Sequence, residues 1–128
     1  MKTKISGGLA AVSLGALALA ATAAPAAAAD GWARYSGTLR AGPGSSYPAI
    51  QHVRSGEALD VVGCLRSRSW CDVVVDGERG WYPGSRIVID RDGRRVVLPS
   101  VAAAVIGLSI IGFDRDVYWR DHYRERRF

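Results

Sequence analysis

The sequence is poor in nearly everything that carries catalysis. Its 128 residues include two histidines and two cysteines, and lysine occurs only at Lys2 and Lys4. Two cysteines and two scattered histidines, His52 and His122, make no recognisable zinc ligand set. A hydrolytic triad needs a nucleophile, a base and an orienting group within reach, and His52 is a lone strand histidine. Glu57, Asp60, Asp72 and Glu78 sit like turn and strand-surface charges rather than as a paired acid and base. No enzymatic activity and no cofactor are therefore expected. Nor is charge of one sign abundant. After residue 29 there are 15 arginines against 12 acids, a balance of +3, too mixed and too small to point to nucleic acid. Gly42-Pro43-Gly44-Ser45-Ser46 lacks the lysine and helix of a phosphate loop, and Asp90-x-Asp92-Gly93 lacks the later ligands of a calcium loop.

The charges that are present leave long stretches empty. Residues 5–24 form an apolar run without a charge, preceded by Lys2 and Lys4 and broken by Pro25. Ala27-Ala28-Ala29 then offers a small-x-small cleavage site before Asp30. This is the layout of a helical secretory signal peptide over residues 1–29, with cleavage after Ala29 and export to the periplasm or the medium. No cysteine near the site suggests a lipoprotein, and no Arg-Arg pair suggests twin-arginine export. The remaining 99 residues allow one small domain with tails, whose modest core benefits from a covalent staple. In an oxidising compartment, Cys64 and Cys71 are expected to form a disulfide across a hairpin whose loop is residues 65–70.

The middle of the chain reads as short strands punctuated by turns. Strand-like segments fall at 34–40, 51–53, 58–64, 70–75, 78–82, 86–89 and 94–98, separated by Gly-Pro, Ser-Gly, Asp-Gly and Pro-Gly turns. Leu59 and Val61 share one face of their strand. In the next strand Cys71, Val73 and Val75 oppose Trp70, Asp72 and Val74. Asp76-Gly77 is a two-residue hairpin signal. The fold class is all-β, a small barrel or sandwich.

Two motifs sharpen this. Leu39-Arg40-Ala41-Gly42-Pro43 with Tyr47-Pro48, Ile50 and Gly56 resembles the opening motif of bacterial SH3 domains. Trp70, Val73, Asp76-Gly77 and Gly80-Trp81-Tyr82 resemble the closing motif. The likeness spans about residues 33–90, and Thr38-Leu39 departs from the usual Asn-Val-like pair. The cysteine pair and the tail Tyr118-Trp119-Arg120-Asp121-His122-Tyr123 are similar to those of a small exported subgroup. The resemblance implies an SH3-like, partly open β-barrel over residues 30–95. It also implies a binding role towards cell-wall peptide or glycan, or an envelope protein.

Such a barrel presents an aromatic groove. The candidate ligand-binding residues are Arg40, Tyr47, Trp70, Trp81 and Tyr82, with Tyr35 nearby and Arg40 as partner for a carboxylate. One of Trp70 and Trp81 is expected to pack inward or cap the barrel end. Residues 96–113 are eighteen without a charge, read as a linker or added strand, with a membrane-inserted segment or partner patch as alternatives. Residues 114–128 carry five arginines and four acids. As a helix they would gather Tyr118, Trp119, His122 and Tyr123 on one face, with Asp116 and Arg120 paired at i,i+4. This tail would dock or fray as a short amphipathic end, or contact an anionic surface such as envelope lipid or wall polymer. The alternative function is an envelope interaction protein held through residues 96–128.

Overall fold

The computed structural model describes residues 28–91, 93–98 and 107–128. Most of the expected signal peptide (residues 1–27), Asp92 and residues 99–106 of the apolar stretch lie outside the described residues. Eight strands form an antiparallel sheet that does not close: β1 (Ala29–Ala33), β2 (Gly37–Arg40), β3 (Ala49–Val53), β4 (Ala58–Cys64), β5 (Trp70–Val75), β6 (Glu78–Pro83), β7 (Ile87–Arg91) and β8 (Arg94–Val97). Among the described residues, a single 3₁₀ turn at Gly84–Arg86 separates β6 from β7, and one helix, α1 (Arg115–His122), follows the sheet. The strand order is β3-β2-β6-β5-β4-β1-β7-β8.

Turn chemistry sets the central register. Asp76 and Gly77 both adopt positive φ, 50° and 78°, as the tight hairpin between β5 and β6 requires. Val75 then faces Glu78, and the pairing runs unbroken to Trp70 against Pro83. Between β4 and β5 the register shifts at Val61/Gly63, which sets Cys64 opposite Cys71. The two are disulfide-bonded and buried. Alternation sends Cys71, Val73, Val75 and Tyr82 inward to meet Leu39, Val53, Leu59, Val61, Ile87, Ile89 and Leu98. Every strand except β8 contributes a buried residue to this core, and Val96 of β8 packs against it.

One strand was not anticipated. The first strand-like segment in the sequence begins at residue 34, yet β1 precedes it and lies between β4 and β7. Its sequence, Ala-Asp-Gly-Trp-Ala, has little intrinsic strand preference, and pairing on both sides supplies what propensity does not. The helix is also only partly as expected. Asp114 caps it by accepting from the Val117 amide. The i,i+4 pair is not formed: Asp116 bridges Arg115 at 3.0 Å, and Arg120 turns to Asp121 at 3.8 Å.

Candidate functional site

The outer face of the β5–β6 hairpin carries Trp70, Asp72, Arg79 and Trp81, because these positions alternate with the core residues across the pairing. The C-terminal segment lies over this face. Its approach starts at the disulfide, where the Cys64 amide donates to the Ser109 carbonyl and the Ile111 amide donates to the Cys64 carbonyl, both at 2.9 Å. Phe113 then meets Tyr47 and Trp81 edge-on, with ring centroids 5.4 Å apart in each case. Tyr118 follows at 5.8 Å from Trp81 and 5.6 Å from Phe113. Ala41, Trp81, Tyr118 and Tyr123 make a second buried cluster, flanked by the half-buried Ile50, Leu65, Trp70, Ile111, Phe113 and Trp119.

Polar contacts anchor this aromatic layer. Asp72 is only 3% exposed, so its carboxylate needs donors. Arg79 supplies two, at 2.7 and 2.8 Å, and the Tyr118 hydroxyl donates a third at 2.7 Å. The Trp119 indole donates to the Ala41 carbonyl at 2.9 Å, and the Tyr123 hydroxyl to the Arg79 carbonyl at 2.7 Å. The bond to Asp72 raises the Arg79 guanidinium pKa. Burial drives the Tyr118 phenol far above its ordinary value, and Asp72 acts in the same direction. Burial also pushes Tyr123 up to about 12, and lowers the His122 imidazole.

These shifts have a consequence in alkali. Folded-state pKa values of Tyr118 and Tyr123 stand above the unfolded value of about 10. Their contribution to stability is therefore fully present below about pH 10 and is lost as pH rises through the folded values. Melting temperatures should fall from about pH 10 upward, and Tyr118→Phe should make that fall shallower. Equal slopes for the two proteins in a series of alkaline melts would contradict a buried, neutral Tyr118.

The five residues singled out by the sequence separate into two groups. Arg40, Tyr47 and Trp70 are half-exposed around the second cluster. The Arg40 guanidinium donates to the Tyr47 carbonyl at 3.1 Å and so braces the loop that carries the ring. The Tyr47 ring lies directly over Gly42, where a Cβ would come within 2.6 Å of it; only glycine permits that approach. Trp81 and Tyr82 are fully buried. Trp81 forms the floor beneath the tail. Tyr82 points the other way, into the main core, and its hydroxyl donates to the Tyr35 carbonyl at 2.8 Å. Sequence reasoning did not assign Asp72, Arg79, Ala41 or Phe113 to this face. The alternation that put Asp72 beside Trp70 was the available signal.

Comparison with known families adds one decisive finding: the family model for the bacterial SH3 domain matches residues 36–88. Residues 36–88 are a bacterial SH3 domain. The match takes in β2 to β6 and the first residues of β7, hence the hairpin, both cysteines and the Tyr47 loop. No curated protein and no solved structure matches the chain. Strands β1 and β8 and the docked helix lie outside the matched SH3 residues. Among the described residues no group of three or more His, Cys, Asp or Glu is arranged to hold a metal ion.

Proposed function

We propose that this chain is an exported, non-catalytic binding module that recognises cell-wall peptide or glycan through its aromatic face. The observation that carries this is the half-exposed set Arg40, Tyr47 and Trp70, held around a buried Trp81 on a bacterial SH3 domain. Rigid rings give contact area at low entropic cost, and a guanidinium suits a carboxylate-bearing peptide. The Cys64–Cys71 disulfide and the apolar leader of residues 5–24 support export and cleavage after Ala29. Tyr82, buried on the opposite side of β6, serves the core in this reading.

The alternative, an envelope protein held by its C-terminal segment, draws less support. Tyr118 and Tyr123 are turned onto the SH3 domain rather than outward, and no described helix is long and apolar enough to cross a membrane. Co-sedimentation with insoluble peptidoglycan tests the proposal on the exported, oxidised full chain. The wild type should bind, and Tyr47→Ala or Trp70→Ala should each weaken binding by about tenfold or more while circular dichroism is unchanged. A folded wild type that stays in the supernatant would overturn the wall reading, and retention by an envelope protein instead would restore the alternative.

A further inference from the structure

The face beneath the tail is built for more than the tail uses. Trp81 is fully buried, yet its indole N–H has no hydrogen-bond acceptor among the described residues. A buried donor left unpaired is costly and rare, and it is commonly explained by a partner the structure does not hold. Alongside it, the Asp72 carboxylate accepts from the Tyr118 hydroxyl, a contact that another donor can replace. Asp72 and Trp81 are cross-strand partners, and a peptide carries both kinds of group they call for, carbonyls for the Trp81 indole and N–H groups for Asp72. The described part of the tail gives Trp81 ring contacts from Phe113 and Tyr118 but no acceptor for its indole N–H.

The tail is also attached in a way that permits it to leave. Helix α1 has eight residues, too few to be stable alone in water. Of these, only Tyr118 is buried. Its outer positions carry Arg115, Asp116, Arg120 and Asp121, all exposed. Besides the bonds from Tyr118, Trp119 and Tyr123, the tail is held by the Arg126–Glu78 ion pair, which is solvent-accessible and adds little. The core of the sheet, by contrast, closes without the helix: none of its buried residues comes from α1.

We propose that residues 113–123 are a built-in occupant of the aromatic face, and that an extended, amide-bearing wall peptide binds there by displacing them. This rests on the wall-binding reading and adds the regulation of that same site. Free chain would then be closed, and binding would require the helix to lift from Asp72 and Trp81. Weakening the tail should strengthen binding, since the ligand no longer competes with it.

Amide hydrogen exchange on the full chain tests the release directly. Without ligand, the Tyr118 and Tyr123 amides should exchange roughly 100-fold faster than those of β5, because the helix opens without the sheet. Soluble wall-peptide fragments should speed exchange in α1 further and slow exchange of the Trp81 indole N–H. Tyr118→Phe removes only the hydroxyl bond to Asp72 and should tighten binding by about tenfold. Equal exchange rates in α1 and β5 would overturn the proposal, since the tail would open only with the whole domain. Binding with unchanged α1 exchange would overturn displacement while leaving the wall reading intact. Absence of binding by both wild type and Tyr118→Phe would overturn the wall reading itself, and the displacement with it.

Discussion

Trp81→Ala lowers the unfolding free energy by about 3–5 kcal/mol, the cost of truncating a large ring in a packed interior. Trp81 is fully buried and touches both layers of the molecule: it pairs across β5 with Asp72 and across β2 with Arg40, and its ring meets Phe113 and Tyr118. Small domains have only about 5–15 kcal/mol in total, and this loss is a large fraction of it. Urea titration should show a lower midpoint, with near-ultraviolet dichroism from the tail rings diminished. Trp70→Ala is the comparison: that ring is half-exposed at the rim, and its truncation should cost clearly less. Equal costs at the two positions would mean that Trp81 is not the centre of the aromatic layer. A further consequence is that Trp81→Ala is a poor probe of ligand binding, because it disturbs the fold that presents Tyr47 and Trp70.

Removing the disulfide is the second large effect. Cys64 and Cys71 lie seven residues apart, and closing so short a loop contributes about 2–3 kcal/mol in the chain-entropy description. The local consequence extends past the loop, because the Cys64 backbone also holds Ser109 and Ile111 at the point where the tail joins the domain. The Cys64→Ala/Cys71→Ala protein should therefore lose stability by that amount and show faster exchange at the Ile111 amide than at the amides of β5. A denaturation midpoint unchanged from the oxidised wild type would show that the bridge contributes nothing, and would leave the tail anchored by the aromatic layer alone.

How much of this was legible depends on the range of the interactions involved. Strands β4 to β6 were readable because their alternation and the Asp76-Gly77 turn are local signals that agree with one another. Strand β1 was not, since Ala, Asp and Gly give it no propensity and its place between β4 and β7 is purely tertiary. The adjacent pair Trp81-Tyr82 holds a plainer lesson. Consecutive strand residues point to opposite faces, so the two could never both line one groove. Tyr82, opposite Cys71, went to the core, and Trp81, opposite Asp72, went to the outer face. Whether that outer face was open or covered could not be read locally. The residues that cover it lie more than 30 positions later, in a segment whose charges suggest a solvated helix. Its aromatic spacing identified a face, and the structure supplies what that face meets: Ala41, Asp72, Arg79 and Trp81.

The aromatic face of the SH3 domain is covered by the chain's own C-terminal helix around Trp81. Nuclear Overhauser contacts in the oxidised full chain measure this most directly. The account predicts cross-peaks from the Trp81 indole to the rings of both Phe113 and Tyr118, together with a slowly exchanging Tyr118 hydroxyl proton bonded to Asp72. A Trp81 indole without those cross-peaks, and tail rings at random-coil shifts while the strands remain folded, would contradict it.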